Sequence, residues 1–150
     1  MIELKPILLV EDNPNDEELT LSGLAEYNLA NDVQIVHDGE EALDYLFKKN
    51  KYAKRQNGNP AVILLDLKLP KVDGLEVLRA IRSEEKLKLI PVVILTSSRE
   101  ESDKLESYRH AVNAYVVKPV NFHEFINAIK GLGFFWGIIN EPPPGSIRKA

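Results

Sequence analysis

Five short aliphatic runs recur along the chain: ILLV (7–10), VQIV (33–36), AVILL (61–65), VVIL (92–95) and AYVV (114–117). Each is too short for a buried helix and too uniformly apolar to keep one face in water, which is the pattern of strands covered on both faces. Segments with helical spacing separate them. Asn13 before Pro14 is an N-cap with proline at the first helical position, and Leu19, Leu21, Leu24 and Ala25 behind it predict an apolar stripe. Ala42, Leu43, Leu46 and Phe47 mark a second helix over 40–47, while Leu75, Val77, Leu78 and Ile81 mark a third opened by Asp73-Gly74. Ser98 with Glu101, and Asn121 with Glu124, have capping-box spacing and predict a fourth and a fifth. Strands alternating with helices imply a parallel sheet with right-handed crossovers and helices on both faces, an open five-stranded α/β sandwich.

Two segments stand outside this alternation. KKNKYAKRQNGNP (48–60) is long, polar and locally basic, and is expected to be a solvated connection, with a docking surface as the alternative. GIINEPPPGSIRKA (137–150) cannot carry a helix through three prolines and is expected to be extended. The division is therefore a domain over 1–136 and a tail over 137–150, in keeping with one core for 150 residues.

Composition narrows the chemistry. With no cysteine, disulfides, thiolate metal sites and cysteine nucleophiles are excluded. A net charge of -4 argues against a nucleic-acid surface. No apolar run approaches the roughly 20 residues that cross a bilayer, and the amino terminus has no signal-peptide pattern, so neither membrane nor secretion is expected and the protein is placed in the cytoplasm.

Ligands of doubly wound sheets bind outside the carboxyl ends of the strands, and there the chain is polar. The first run ends in Glu11-Asp12, the third in Asp66, the fourth in Thr96 and the fifth in Lys118-Pro119. Singly, each has a plain structural role: Glu11 and Asp12 favour the positive end of the first helix, Thr96 caps locally, and Lys118 sits at the surface. Asp66 fits such a role poorly, because LKLP after it runs extended into Pro70 and starts no helix. Together, three carboxylates within about 4 Å would repel by roughly 4 kcal/mol per pair at an effective dielectric near 20. Lys118 offsets part of that charge. A hard divalent cation such as Mg²⁺ offsets more, and keeps water-filled positions that a phosphoryl oxygen takes.

LLVED, VILLDLKLPKVDGLEVL, VVILTSS and AYVVKP, in this order and over residues 5 to 132, resemble the receiver domain of two-component response regulators. The resemblance implies the flavodoxin/CheY-like strand order 2-1-3-4-5. It implies Asp66 as phosphoacceptor, taking a phosphoryl group from the phosphohistidine of a sensor histidine kinase. Mg²⁺ would then be held by Asp12 and Asp66, by Glu11 through water and by the Lys68 backbone carbonyl. Lys118 would pair with a phosphoryl oxygen, Thr96 would donate its hydroxyl, and Tyr115 would be the aromatic whose rotamer reports the event. Pro119 follows the lysine where the family has a cis bond. Such a protein is a phosphoacceptor switch, not an enzyme with a separate substrate.

The ending GLGFFWGII, with Phe134, Phe135 and Trp136, is a dense aromatic cluster of the kind found where partners meet. Together with the long loop before the third strand, it resembles the stand-alone regulators paired with cyanobacterial phytochrome histidine kinases. That implies a phytochrome-type kinase as partner, and a homodimer through the fourth helix, fifth strand and fifth helix, extended by the tail. Three other readings compete. An aspartyl-phosphate phosphohydrolase needs a second acid two residues after the nucleophile, where this chain has Lys68. A flavodoxin-like flavin binder needs phosphate-cradling amides where EDNPND is acidic. A pseudo-receiver would lack some of the acids, Thr96 or Lys118, all of which are present.

Overall fold

The computed structural model describes residues 6–26, 33–56, 58–96, 114–118 and 123. Strands β1 (Ile7–Val10), β2 (Val33–Val36), β3 (Val62–Asp66), β4 (Val92–Thr96) and β5 (Ala114–Val117) form one parallel sheet in the order β2-β1-β3-β4-β5. All five expected runs are strands and the expected order holds. Strands β1, β3 and β4 are buried at every position, so both faces of the sheet centre are covered. On one face Leu8, Val10, Ile63, Leu65, Val92 and Ile94 pack in a single cluster with Ala42, Tyr45, Leu46, Val77, Leu78 and Ile81. Strand β2 lies at the edge, and only Val36 of its four residues is fully buried.

Three helices fall within the described residues: α1 (Pro14–Glu26), α2 (Gly39–Phe47) and α3 (Gly74–Ser83). Their starts are fixed by side chains that accept from otherwise unpaired backbone N–H groups. The Asn13 Oδ1 accepts from the N–H of Asn15 at 2.9 Å and of Asp16 at 3.1 Å, as its place before Pro14 predicts. Asp38 accepts from Glu41 N at 2.7 Å and Asp73 from Glu76 N at 3.0 Å. Helices α2 and α3 bury the residues their spacing indicates, with Leu43, Phe47 and Leu75 partly buried at the margin. Two glycines let these starts approach their neighbours: a Cβ on Gly39 would meet Val72 O at 1.8 Å, and one on Gly74 would meet Asp66 O at 2.5 Å. The second contact seats α3 directly beneath the loop that leaves Asp66.

Helix α1 departs from the expected stripe. Leu19 is 61% exposed and Ala25 is exposed, while Thr20, Gly23 and Leu24 are buried. The helix is turned by about one residue, roughly 100°, from the phase its leucines suggest. Leu24 belongs to both faces, and Leu21 is partly buried at the margin.

The basic connection is also more than a solvated loop. It contains a 3-10 turn, Asn50–Tyr52, and folds onto α2. The Tyr52 ring meets Tyr45 edge-on at 5.1 Å, and the Arg55 guanidinium lies 4.2 Å from the Tyr45 ring centre while its Nε donates to Tyr45 O at 3.0 Å. Tyr52 Oη and Lys51 Nζ both reach Glu41 Oε2, at 2.8 and 2.7 Å. The expected fourth and fifth helices, Ser98, Pro119, Phe134, Phe135, Trp136 and the tail over 137–150 lie outside the described residues.

Candidate functional site

The carboxyl edge of the sheet gathers the predicted residues because strand alternation and short exits leave their side chains nowhere else to go. Glu11 still continues the ladder, its N–H donating to Val36 O at 3.0 Å, so its side chain points inward and is fully buried. Asp12, one residue on, faces outward and is exposed. Asp66 is the last residue of β3, nearly buried with its side chain 9% exposed, and its Oδ1 accepts from Lys68 N at 3.2 Å. The chain beyond Asp66 is pinned by Leu67 N donating to Leu95 O at 3.0 Å. Oxygens of Glu11, Asp12 and Asp66 all lie within 4.8 Å of one another.

Lys118 enters from the far strand. Its backbone N–H extends β5 by donating to Thr96 O at 2.7 Å, and its side chain, 14% exposed, runs back under the carboxylates. Its Nζ lies 3.1 Å from Asp66 Oδ2, 2.9 Å from Glu11 Oε1 and 3.0 Å from Asp16 Oδ2. Burial would lower the lysine, but Glu11, Asp16 and Asp66 outweigh it and hold the ammonium above the ordinary lysine range. The contact with Asp66 is a directed hydrogen bond, whereas the approach to Glu11 Oε1 is close but poorly aligned, and that oxygen has no hydrogen-bond donor. Among the described residues its partner oxygen, Oε2, accepts a long bond from Asn13 N at 3.3 Å.

Burial and then the neighbouring Asp66 carboxylate therefore push the Glu11 carboxyl up to about 7, against the pull of Lys118. A buried acid driven to bind a proton, with an orphaned oxygen beside two further carboxylates, lacks positive charge. The donors are all hard oxygens. The set fits a hard divalent cation, for which carboxylates and water are the ordinary ligands.

The remaining expected residues surround this mouth. Thr96 ends β4, is fully buried, and pairs in register with Val117, while the preceding Leu95 pairs with Asp66. Tyr115 pairs with Ile94 and is 45% exposed, an outward position. Lys68 is exposed and, with Asp12, Leu67, Leu69, Pro70 and Asp73, lines an open cleft of about 510 Å³. Asp16 was not among the residues singled out from sequence. Its signal was the Asn13-Pro14 cap itself, since that cap fixes the first turn of α1 and side chains there lean back toward the helix start. What no local pattern contains is the lysine 102 residues away that receives it.

Residues 7–130 match the response regulator receiver domain family. The chain is 39% identical over 132 residues to the response regulator Rcp1 of Synechocystis sp., with 88% of each protein covered. Among solved structures it is similar to the bacteriophytochrome response regulator RtBRR, at 61% identity and TM-score 0.85, covering 96% of this chain and 87% of that one. The phosphorylated cyanobacterial phytochrome response regulator RcpA follows at 41% identity and TM-score 0.73, covering 95% and 100%. The Mn²⁺-bound form of Rcp1 superposes with a TM-score of 0.70 at 39% identity, covering 88% and 94%.

Proposed function

The chain belongs to the response regulator receiver domain family, and from that premise we propose that it is a phosphorylation switch in which Asp66 accepts a phosphoryl group from a phosphohistidine of a phytochrome-type sensor histidine kinase. The observation that carries this reading is the meeting of Glu11, Asp12 and Asp66 within 4.8 Å around a lysine drawn from another strand. The kinase class is supported by the similarity to the bacteriophytochrome response regulator RtBRR and the cyanobacterial phytochrome response regulator RcpA.

In the transfer, an Asp66 carboxylate oxygen forms the P–O bond as the P–N bond of the donor breaks. The imidazole departs with that electron pair and regains a proton. Asp66 is presented at the rim on a strand buried along its length, so the nucleophile is positioned rather than activated. Glu11, Asp12, Asp66 and the Lys68 carbonyl would hold Mg²⁺, which when bound offsets charge on the phosphoryl oxygens. Lys118 supplies a second fixed positive charge to them. The Thr96 hydroxyl donates to the new acyl phosphate, and Tyr115 turns inward from its outward position as β4 follows. A full inversion of the switch from 1:99 to 99:1 needs about 5.5 kcal/mol of differential interaction. The chain acts as a phosphoacceptor, without a diffusible substrate of its own.

The output surface proposed from sequence is a homodimer through the fourth helix, β5 and fifth helix, extended by Phe134, Phe135, Trp136 and the tail over 137–150. Sedimentation of a protein ending at Leu132 tests it: loss of the dimer supports the tail's role, and one shared oligomeric state removes it. For the switch itself, the protein is incubated with acetyl phosphate or a phosphorylated kinase, with and without Mg²⁺. A base-labile label is expected that requires the metal and is absent from Asp66→Asn. A label that survives that substitution overturns the assignment.

A further inference from the structure

Three carboxylates share the Lys118 ammonium, one of which has no part in the metal cluster. We infer that Asp16 is a positioning residue that holds Lys118 before phosphorylation and yields it to the phosphoryl group. The inference rests on the function proposed above and deepens it. The ammonium donates directed bonds to Asp16 Oδ2 and Asp66 Oδ2 at 3.0 and 3.1 Å, with Glu11 Oε1 also at 2.9 Å, so an incoming phosphoryl oxygen competes with three carboxylates for one charge. Glu11 and Asp66 cannot leave: their side chains are 0% and 9% exposed, each is fixed by a strand, and both belong to the metal cluster. Asp16 is 34% exposed, sits on α1, and lies outside that cluster. Its carboxylate moves into water at little desolvation cost. It also stays in the first turn of a capped helix, where negative charge is favoured. The same group that parks the lysine repels the phosphoryl dianion, so Asp16 raises the threshold for occupation of the site.

The test is calorimetry on the full chain with two probes, Mg²⁺ alone and then beryllofluoride with Mg²⁺ as an acyl-phosphate mimic. Asp16→Asn, nearly isosteric, is expected to tighten beryllofluoride about 3- to 10-fold while weakening Mg²⁺ about 2-fold, because one negative charge leaves the mouth. Asp16→Glu should return both affinities toward the wild-type values, and Asp16→Ala, which removes the acceptor, should tighten beryllofluoride at least as far as Asn does. A residue that only starts the helix would weaken both ligands or neither, and either result overturns the inference while leaving the function intact. A wild-type protein that takes up neither probe overturns the function and the inference with it.

Discussion

Two glutamates, Glu11 just past β1 and Glu41 in the first turn of α2, have opposite fates. Glu41 has Lys51 at 2.7 Å, and accepts from Tyr52 Oη and His37 N at 2.8 Å each. Burial alone would raise it, but those donors, Lys51 foremost, bring its carboxyl down to about 2. Glu11 also has a lysine within 3 Å, yet it shares that lysine with Asp16 and Asp66, lies deeper, and is pushed up to about 7. A satisfied carboxylate fastens structure, here the basic connection 48–60 onto α2. An undersupplied one at a strand end waits for a cation. Deeper burial, a neighbouring carboxylate and fewer donors separate Glu11 from Glu41, more than the presence of a lysine.

The largest test of this contrast is to remove each charge. Glu11→Gln is expected to weaken Mg²⁺ binding about 10- to 100-fold by calorimetry, as loss of a metal-supporting group does, while leaving the metal-free fold at least as stable in urea. Glu41→Gln should do the reverse, costing about 1–2 kcal/mol in urea unfolding, since it weakens bonds to a partly buried carboxylate whose lysine partner is exposed, with Mg²⁺ affinity unchanged. If Glu11→Gln destabilised the apo fold by a similar amount, the contrast would be gone.

The pH dependence separates the two by sign. Glu11 is raised from 4.5 to about 7, so between those values the metal-free native state holds the extra proton. Its contribution to stability is full below about 4.5 and is lost as pH rises through about 7. Mg²⁺ must displace that proton, so its affinity is expected to climb by up to about tenfold per pH unit below 7 and to level off above. Glu41 is lowered from 4.5 to about 2; its contribution is present above about 4.5 and fades as pH falls through 2. Urea midpoints and Mg²⁺ titrations at pH 5, 6, 7 and 8 check the Glu11 sign, and urea midpoints at pH 2, 3, 4 and 5 check the Glu41 sign. A Mg²⁺ affinity flat from pH 5 to 8 would contradict the Glu11 assignment. The smallest expected effect is Tyr52→Phe, which removes one donor from Glu41 and should cost about 1 kcal/mol.

Much of this was written locally. The five strands are legible because residues buried on both faces must be apolar at consecutive positions, and the helix starts at Asn13 and Asp73 are legible because a helix start needs an acceptor within three residues. Placing Glu11, Asp12, Asp66, Thr96 and Lys118 at one edge followed from the parallel sheet, since every strand then ends on the same side. Leu19 is exposed against expectation because helical spacing gives a period without a phase, and the phase of α1 is set by what it packs against. The connection 48–60 is exposed over most of its described length, as its charges suit water, but its tie to α2 through Arg55, Lys51 and Tyr52 is written in no local pattern.

The sequence by itself determined which segments are strands, where helices start, and that acids, a hydroxyl and a lysine end the strands, because burial and capping act over a few residues of chain. Only the tertiary structure decided how one ammonium is divided. Whether Lys118 serves Glu11, Asp16 or Asp66 depends on distances across elements up to 107 residues apart, 118 less 11. Charge interactions fall steeply with those distances and with exposure, neither of which a one-dimensional pattern carries.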